Sequence, residues 1–282
     1  MKNSVYRFTT IELRRLQLVL LDMLVELDRI CKKNNIRYCI IAGTLLGAVR
    51  HKGFIPWDDD LDVAMTRGEY ERFREVCQTE LNDAKFFFQD NTTDPYYLWG
   101  YGRLRCKDSE FVRIGQDHLQ MKTGIFLDIF PIDEVPDFPP FRGLFTACCF
   151  FIRKVLYAQV GAVFDKSVVR RTVYNLLKRI PIAWTFKQLD KLHNYGHNYG
   201  TKYGRILTFP TPKGRPFGYI RKWYIDVADI EFEGHMFPGV RDYDDYLSYK
   251  FGDYMTLPPE DKRHGHPVSK FRLPENSNSK SV

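Results

Sequence analysis

No two of the six cysteines, Cys31, Cys39, Cys77, Cys106, Cys148 and Cys149, stand in a CxxC pair, which excludes a zinc ribbon and argues against a disulfide framework. No run of five or six like charges offers a basic arm, and no zinc-finger or RNA-binding signature is visible, so nucleic acid is a poor candidate partner. No internal repeat or low-complexity tract is present over the body of the chain. The opening Met1-Lys2-Asn3-Ser4-Val5-Tyr6-Arg7 leads into a charged amphipathic stretch and lacks the uninterrupted apolar core of a signal peptide. The one extended apolar region, residues 141–164, is interrupted by Arg142, Arg153 and Lys154. Its runs fall short of the ~20 residues of a spanning helix, so it reads as a buried or interfacial helix. Together these absences predict a reduced, cytoplasmic protein.

What is present suits one or two globular domains. The 282 residues are 44% hydrophobic and 15% aromatic, with 22 Phe and 17 Tyr, enough for a large core with rings left over for a binding surface. The formal charge of +7 favours anionic neighbours such as nucleotides, phosphorylated polymers or an acidic membrane surface.

Thr9 and Glu12 have capping-box spacing ahead of Leu13, Leu16, Leu20, Leu24, Leu27 and Cys31, which predicts one amphipathic helix ending near Asn34-Asn35. Tyr38-Cys39-Ile40-Ile41-Ala42 reads as a buried strand feeding a glycine turn at Gly43, with a short helix over 45–49. Thr66 and Glu69 repeat the capping-box spacing before a second amphipathic helix, and strand-like runs follow at 86–89, 102–106 and 125–130. The expected organisation is an α/β (α+β) core with the N-terminal helix over 1–140, a mainly helical insertion over 141–230, a C-terminal motif packing back on the core over 231–274, and a polar tail over 275–282.

The chemistry concentrates in acids. Asp60-Leu61-Asp62-Val63 alternates as a strand does, pointing both carboxylates to one face; Asp58 and Asp59 precede them, and Asp128 is the single charge in an apolar run. Two like charges about 4 Å apart repel by roughly 4 kcal/mol at an effective dielectric of 20, so such a cluster needs a counter-charge. A solvated acidic turn has the same composition. The alternation and the cost of an isolated Asp in an apolar strand favour a Mg²⁺ or Mn²⁺ site built from Asp58, Asp60, Asp62 and Asp128. Upstream, Gly43-Thr44-Leu45-Leu46-Gly47 places a glycine at a strand-to-helix junction, where amides attract phosphate. The spacing from Gly43 to Asp60 leaves room for a helix and a return strand, so amides and carboxylates flank one phosphate group. Arg50, His51 and Lys52 are either a diphosphate clamp or a solvated turn, and Arg103 and Arg105, on one strand face, are either phosphate ligands or a surface ion-pair face.

The run from Ile41-Ala42-Gly43-Thr44 through Trp57-Asp58-Asp59-Asp60-Leu61-Asp62-Val63 strongly resembles the signature of the LicD family, phosphocholine transferases related to fukutin-type transferases of the nucleotidyltransferase fold. Arg103-Leu104-Arg105, Phe126-Leu127-Asp128-Ile129-Phe130-Pro131-Ile132-Asp133 and the stretch from Tyr243-Asp244-Asp245-Tyr246-Leu247 to Pro258-Pro259 are similar to it as well. Ala42, where many relatives have a second glycine, is a mild departure.

The resemblance implies a nucleotidyltransferase-like core in which the Gly43-Thr44 turn meets phosphate, Asp60 and Asp62 form the first acid pair and Asp128 adds the third carboxylate. It implies a CDP-alcohol donor such as CDP-choline, whose phosphocholine passes to a hydroxyl of a surface glycan or lipid-linked glycan precursor in teichoic acid, lipopolysaccharide or capsule, releasing CMP. Asp128 is expected to orient or deprotonate that hydroxyl. Another phospho-alcohol, such as phosphoethanolamine or ribitol phosphate, a nucleotidyl group, or a non-catalytic scaffold are the alternatives. Trp57, Tyr96, Tyr97, Trp99 and Tyr101 are either a cage for a quaternary ammonium or core. His264 and His266 touch phosphate, shuttle a proton or are incidental, and are not expected to bind metal. A lipid-linked acceptor implies peripheral contact with the inner membrane face.

Overall fold

The computed structural model describes residues 5–212, 215 and 217–275, so all but Glu275 of the expected tail lies outside the described residues. The fold is α+β. A mixed sheet of nine strands, seven α-helices and a small two-stranded sheet are present among the described residues.

Helix α1 (Thr10–Lys33) begins as its sequence dictates: the Thr9 hydroxyl accepts from the Glu12 N–H at 3.2 Å, and the Glu12 carboxylate accepts from the Thr9 N–H at 2.9 Å. Its Leu16, Leu20, Met23, Leu24 and Leu27 are completely buried in the main core. Strand β1 (Cys39–Ile40) is shorter than expected, and α2 (Ala42–His51) starts three residues earlier than the predicted 45–49. Ala42 takes a left-handed φ of 52°, which turns the chain directly from strand to helix. Strand β2 (Asp62–Thr66) leads into α3 (Arg67–Glu80), whose expected capping box does not form. Glu69 is instead held by Arg37 and Arg72 at 3.2 and 2.9 Å.

Strands β3 (Phe86–Gln89) and β4 (Gly102–Cys106) fall where the apolar runs predict. After β5 (Glu110–Arg113), β6 (Phe126–Val135) extends five residues beyond the expected run and is buried along its whole length. It is the hinge of the architecture. Its first half pairs in parallel with β2 and antiparallel with β4, and its second half pairs with β7 (Tyr203–Arg205), which is followed by β8 (Tyr219–Ile220).

Helices α4 (Pro139–Phe164), α5 (Val168–Leu177) and α6 (Ile182–Tyr199) form the helical lobe, with a core of its own built from Val135, Phe145, Cys149, Ile152, Leu156, Leu189 and Leu207. The helical segment is therefore shorter than the expected 141–230. Strands β7 and β8 return the chain to the sheet, where β9 (Val227–Phe232) and β10 (His235–Val240) extend its far edge beside β1. Helix α4 runs unbroken for 26 residues, long and apolar enough by length and composition to cross a membrane, so its charges do not shorten it as expected. Its Phe145, Cys149, Ile152 and Leu156 pack inside the lobe. Helix α7 (Tyr243–Phe251) and β11 (Val268–Arg272), paired with β5, complete the fold.

Candidate active site

The acids lie where β2 and β6 run side by side. Parallel pairing puts Asp62 directly opposite Asp128. Asp62 opens β2, whereas residues 58–61 form an irregular approach to it and not the strand that alternation predicts. Two buried polar groups fix that approach: the Gln17 amide donates to the Asp58 carbonyl at 3.0 Å, and the Thr44 hydroxyl accepts from the Asp62 N–H at 2.8 Å. Gly43, in the first turn of α2, lies so close that a Cβ there would stand 3.0 Å from Asp58 Oδ2.

Asp58, Asp60 and Asp62 carry more negative charge than their surroundings neutralise. Burial pushes the Asp58 carboxyl well above the usual range, and repulsion from Asp60 and Asp59 adds to it. Burial, then Asp60 and Asp128, do the same to Asp62, with Lys250 opposing. Asp60 is also raised by burial, though less, because Arg113 and His266 counter it. Arg113 Nη2 donates to Asp60 Oδ2 at 3.0 Å, and His266 Nδ1 lies 3.4 Å from the same oxygen. A half-buried group of hard oxygen donors with unmet negative charge has the chemistry of a divalent-cation site, and Asp58, Asp60 and Asp62 are the residues that could hold Mg²⁺ or Mn²⁺.

A tighter triad also exists, in which one ligand atom each from Asp59, Asp60 and His266 lies within 4.8 Å of the others. Asp59 is a poor ligand there, because it is buried and both its oxygens are taken, by the His266 N–H at 3.0 Å and by His266 Nδ1 at 2.8 Å. That bond is the main reason the His266 imidazole is raised above its usual value. It ties the C-terminal segment over the acids, and a Cβ on Gly265 would come within 2.8 Å of the Asp59 carboxyl carbon.

The remaining expected residues divide. Arg103 sits in the site, but its Nε donates to Asp128 Oδ1 at 2.6 Å with both side chains buried. Arg103 and Arg105 do share a face, yet that face is interior and not an exposed ion-pair surface. Arg105 is 1% exposed, its guanidinium donates to Gln89 Oε1 at 2.5 Å and the Gly124 carbonyl at 2.7 Å, and burial beside Arg103 pushes it down to about 9. Arg50, His51 and Lys52 lie at the far end of α2, about 12 Å from Gly43 by helical rise. There Arg50 donates to the Tyr254 carbonyl at 2.9 Å and to His51, burial and then Arg50 lower the His51 imidazole, and Lys52 faces Glu231. The structure does not bring them to the acids.

Nor do the rings form one cage. Tyr96 is exposed, Arg263 already lies over Trp57 at 5.6 Å, and Arg103 lies over Tyr101 and Tyr97 at 5.6 and 5.8 Å. Trp99 and Tyr101 wall a cavity of about 340 Å³ that also receives Arg113, Arg153 and Lys154.

Two groups at the site escape sequence reasoning: Arg113 reaches Asp60 from β5, and Lys250 of α7 lines the same hollow as Asp62. His266, a candidate in the sequence, arrives beside β11 bonded to Asp59 and not to a metal or phosphate group. Lys250 also donates to the Tyr219 hydroxyl at 3.1 Å, and its ammonium is lowered by burial against the pull of Asp62. Their common signal is distance along the chain, since each depends on a pairing made far from the acidic motif.

Residues 35–151 match the family described as LicD/FKTN/FKRP, nucleotidyltransferase domain. The lipopolysaccharide cholinephosphotransferase LicD of Haemophilus influenzae is 30% identical over 279 residues, covering 91% of this chain and 96% of its own. The chain belongs to the LicD family. It is a transferase. Two uncharacterized rickettsial proteins share shorter segments with it: one of Rickettsia typhi is 44% identical over 59 residues, 21% of this chain and 19% of its own. One of Rickettsia prowazekii is 52% identical over 48 residues, 17% of this chain and 18% of its own. The family match ends inside α4, so it takes in the acid cluster and leaves out most of the helical lobe, Lys250 and His266.

Proposed function

We propose that this LicD-family transferase moves phosphocholine from CDP-choline to a hydroxyl of a lipopolysaccharide-type glycan, releasing CMP. The observation that carries the reading is the similarity along 96% of the Haemophilus influenzae enzyme, joined to the acid cluster of Asp58, Asp60, Asp62 and Asp128. In the proposed reaction the acceptor oxygen attacks the phosphorus of the phosphocholine half, the bond from that phosphorus to the CMP oxygen breaks, and the acceptor's proton passes to a carboxylate. Asp128 is the assigned proton acceptor: it lies opposite Asp62, and its Oδ1 is bonded to Arg103, which fixes the carboxylate.

Mg²⁺ or Mn²⁺, held by Asp58, Asp60 and Asp62, would neutralise the donor diphosphate and the departing CMP. Lys250 adds a fixed positive charge on the Asp62 side, and Gly43 keeps the approach open. Positioning and charge stabilisation supply most of the rate in phosphoryl transfer, so loss of one acid is costly.

Calorimetry of CDP-choline, CDP-ethanolamine and CDP-ribitol in the presence of Mg²⁺ tests the reading, alongside turnover of wild type and Asp60→Asn. CDP-choline is expected to bind tightest, and Asp60→Asn to lose about three orders of magnitude in turnover while melting no lower than wild type, since it relieves repulsion. Preference for another donor replaces the alcohol and keeps the chemistry. Full turnover by Asp60→Asn overturns the role given to the acid cluster, and binding of none of the three overturns the reading and leaves a scaffold of glycan assembly.

The same proposal includes a peripheral seat on an anionic membrane that carries the acceptor. Over 139–199 the chain has ten Lys and Arg against two acids, Asp165 and Asp190. On α4 and α6 of that lobe, Phe141, Leu144, Phe151 and Trp184 are exposed beside Lys187 and Lys191. Exposed aromatic and aliphatic side chains amid lysines suit the headgroup region of anionic lipid.

A further inference from the structure

The cavity beside the acid cluster has a wall of its own chemistry. It is lined by Trp99 and Tyr101, by Thr208 and Phe209 of the segment just after the helical lobe, whose Phe209 ring lies 6.1 Å from that of Tyr101, and by Arg113 and Arg153. Several of its polar groups have no partner. Thr208 is 8% exposed, and its hydroxyl is completely buried without a hydrogen bond. The Trp99 indole N–H and the Arg113 Nε are likewise buried and unbonded. Among the described residues Arg153 has no carboxylate within ion-pair distance and lies against the Phe150 ring, and none of those lining the cavity is an acid.

A buried donor left unmade costs about 1–3 kcal/mol, so these covered groups in the cavity wall favour a small shift of the wall toward an acceptor, while the guanidinium and ammonium groups of Arg113, Arg153 and Lys154 among its lining residues favour an anion. The cations make a quaternary ammonium a poor occupant and an anion a good one. The aromatic faces suit a flat or ring-shaped body. Through Arg113 the cavity adjoins Asp60, and through Arg103 it adjoins Asp128, so a molecule in it ends at the acids.

We infer that this cavity binds a phosphate-bearing ring, with Arg153 and Arg113 on the phosphate and Trp99, Tyr101 and Phe209 against the ring. The inference rests on the proposed transfer in one respect, that the occupant is either the nucleotide half of the donor or a phosphorylated sugar of the acceptor. The shared chemistry is the same in both cases. It also gives the helical lobe a role in recognition, since α4 supplies Arg153.

Calorimetry on the full chain with four probes, CMP against cytidine and glucose 6-phosphate against glucose, separates the sources. The variants are Arg153→Gln and Thr208→Val, the second nearly isosteric, with melting curves to show that both fold. In at least one pair the phosphorylated member is expected to bind better than its parent, and each variant to weaken it about tenfold. A response confined to CMP assigns the cavity to the donor; one confined to glucose 6-phosphate assigns it to the acceptor. Binding of no probe to wild type, or unchanged affinities in both variants, overturns the inference. None of the probes contains choline, so failure of CDP-choline transfer would leave these affinities as they are.

Discussion

The sheet and the helical lobe are built on opposite electrostatic plans. Outside 139–199 the chain carries nearly equal numbers of acids and bases, and its buried cations are held from within: Arg103 by Asp128, Arg67 by Asp133, and Arg105 by Gln89 and the Gly124 carbonyl. The lobe holds ten basic residues and two acids, and its α5 leaves Val168, Val169, Val173 and Leu176 exposed. The difference teaches where each part's partner lies. The sheet satisfies its charges internally except at the Asp58, Asp60 and Asp62 cluster, whose excess calls for a cation, whereas the lobe's excess is positive and faces outward, toward anions.

The two plans meet at Asp133, and breaking that joint is expected to have the largest effect. This fully buried carboxylate on β6 accepts from Arg67 Nε and Nη2 of α3 at 2.7 and 2.6 Å, and His193 Nδ1 of α6 lies 2.7 Å from it. Asp133→Ala leaves a largely buried guanidinium unpaired and releases α6, so urea denaturation is expected to show a loss of about 3–5 kcal/mol. Burial alone would raise the Asp133 carboxyl, but Arg67 and His193 outweigh it and hold it below the usual range. A depressed folded-state value means that this stabilisation is present above the unfolded value of about 3.9 and is lost as pH falls through the lower folded value. Wild type is therefore expected to lose stability below about pH 4, and Asp133→Ala to show a shallower fall over the same window. Equal slopes would show that the joint contributes nothing.

The lobe's outward charge is the next contrast to sharpen. Flotation with phosphatidylglycerol vesicles is expected to carry the wild type at low salt, whereas phosphatidylcholine vesicles are not. Each lysine near an anionic surface contributes about 1 kcal/mol, so Lys187→Glu with Lys191→Glu is expected to weaken binding by more than tenfold, and Phe151→Ala by less. Equal flotation with both lipids, or none with either, would make the basic lobe a surface for another partner. Asp60→Asn is expected to float like wild type, which separates membrane attachment from transfer.

What was legible in the sequence follows the same division. Strands β3 and β4 match the apolar runs residue for residue, and the Thr9 capping box forms, because these signals are local. The acids were legible as a cluster because Asp60 and Asp62 are neighbours and Asp128 stands alone in an apolar strand. Their partners were not. Arg113 and His266 are brought over Asp60 by the pairing of β5 with β11, whose partners stand 155 to 162 residues apart, and no local pattern announces that register. Arg103 and Arg105 read either as phosphate ligands or as a surface ion-pair face because alternation assigns residues to a face without saying whether that face is covered. The Thr66 capping box failed because Arg37 and Arg72 hold Glu69 instead.

The smallest expected effect tests Ala42, at the turn where the family resemblance leads one to expect a second glycine. Ala42 joins β1 to α2 with φ of 52°, and its N–H donates to the Tyr246 hydroxyl at 3.3 Å, which pins the junction to α7. An L-residue in the left-handed region costs roughly 1–2 kcal/mol. Glycine escapes that cost but loses roughly 0.5–1 kcal/mol more conformational freedom on folding. The difference leaves Ala42→Gly stabilising by about 0.5 kcal/mol, a rise of about 1–2 °C in melting temperature for a chain of this size. Ala42→Val is expected to act in the opposite sense and more strongly, because a branched Cβ fits the left-handed region worst and the site is buried. If glycine lowered the melting temperature, the junction would be held by the Ala42 methyl in the core and not strained by it, and the departure from glycine would be a packing choice.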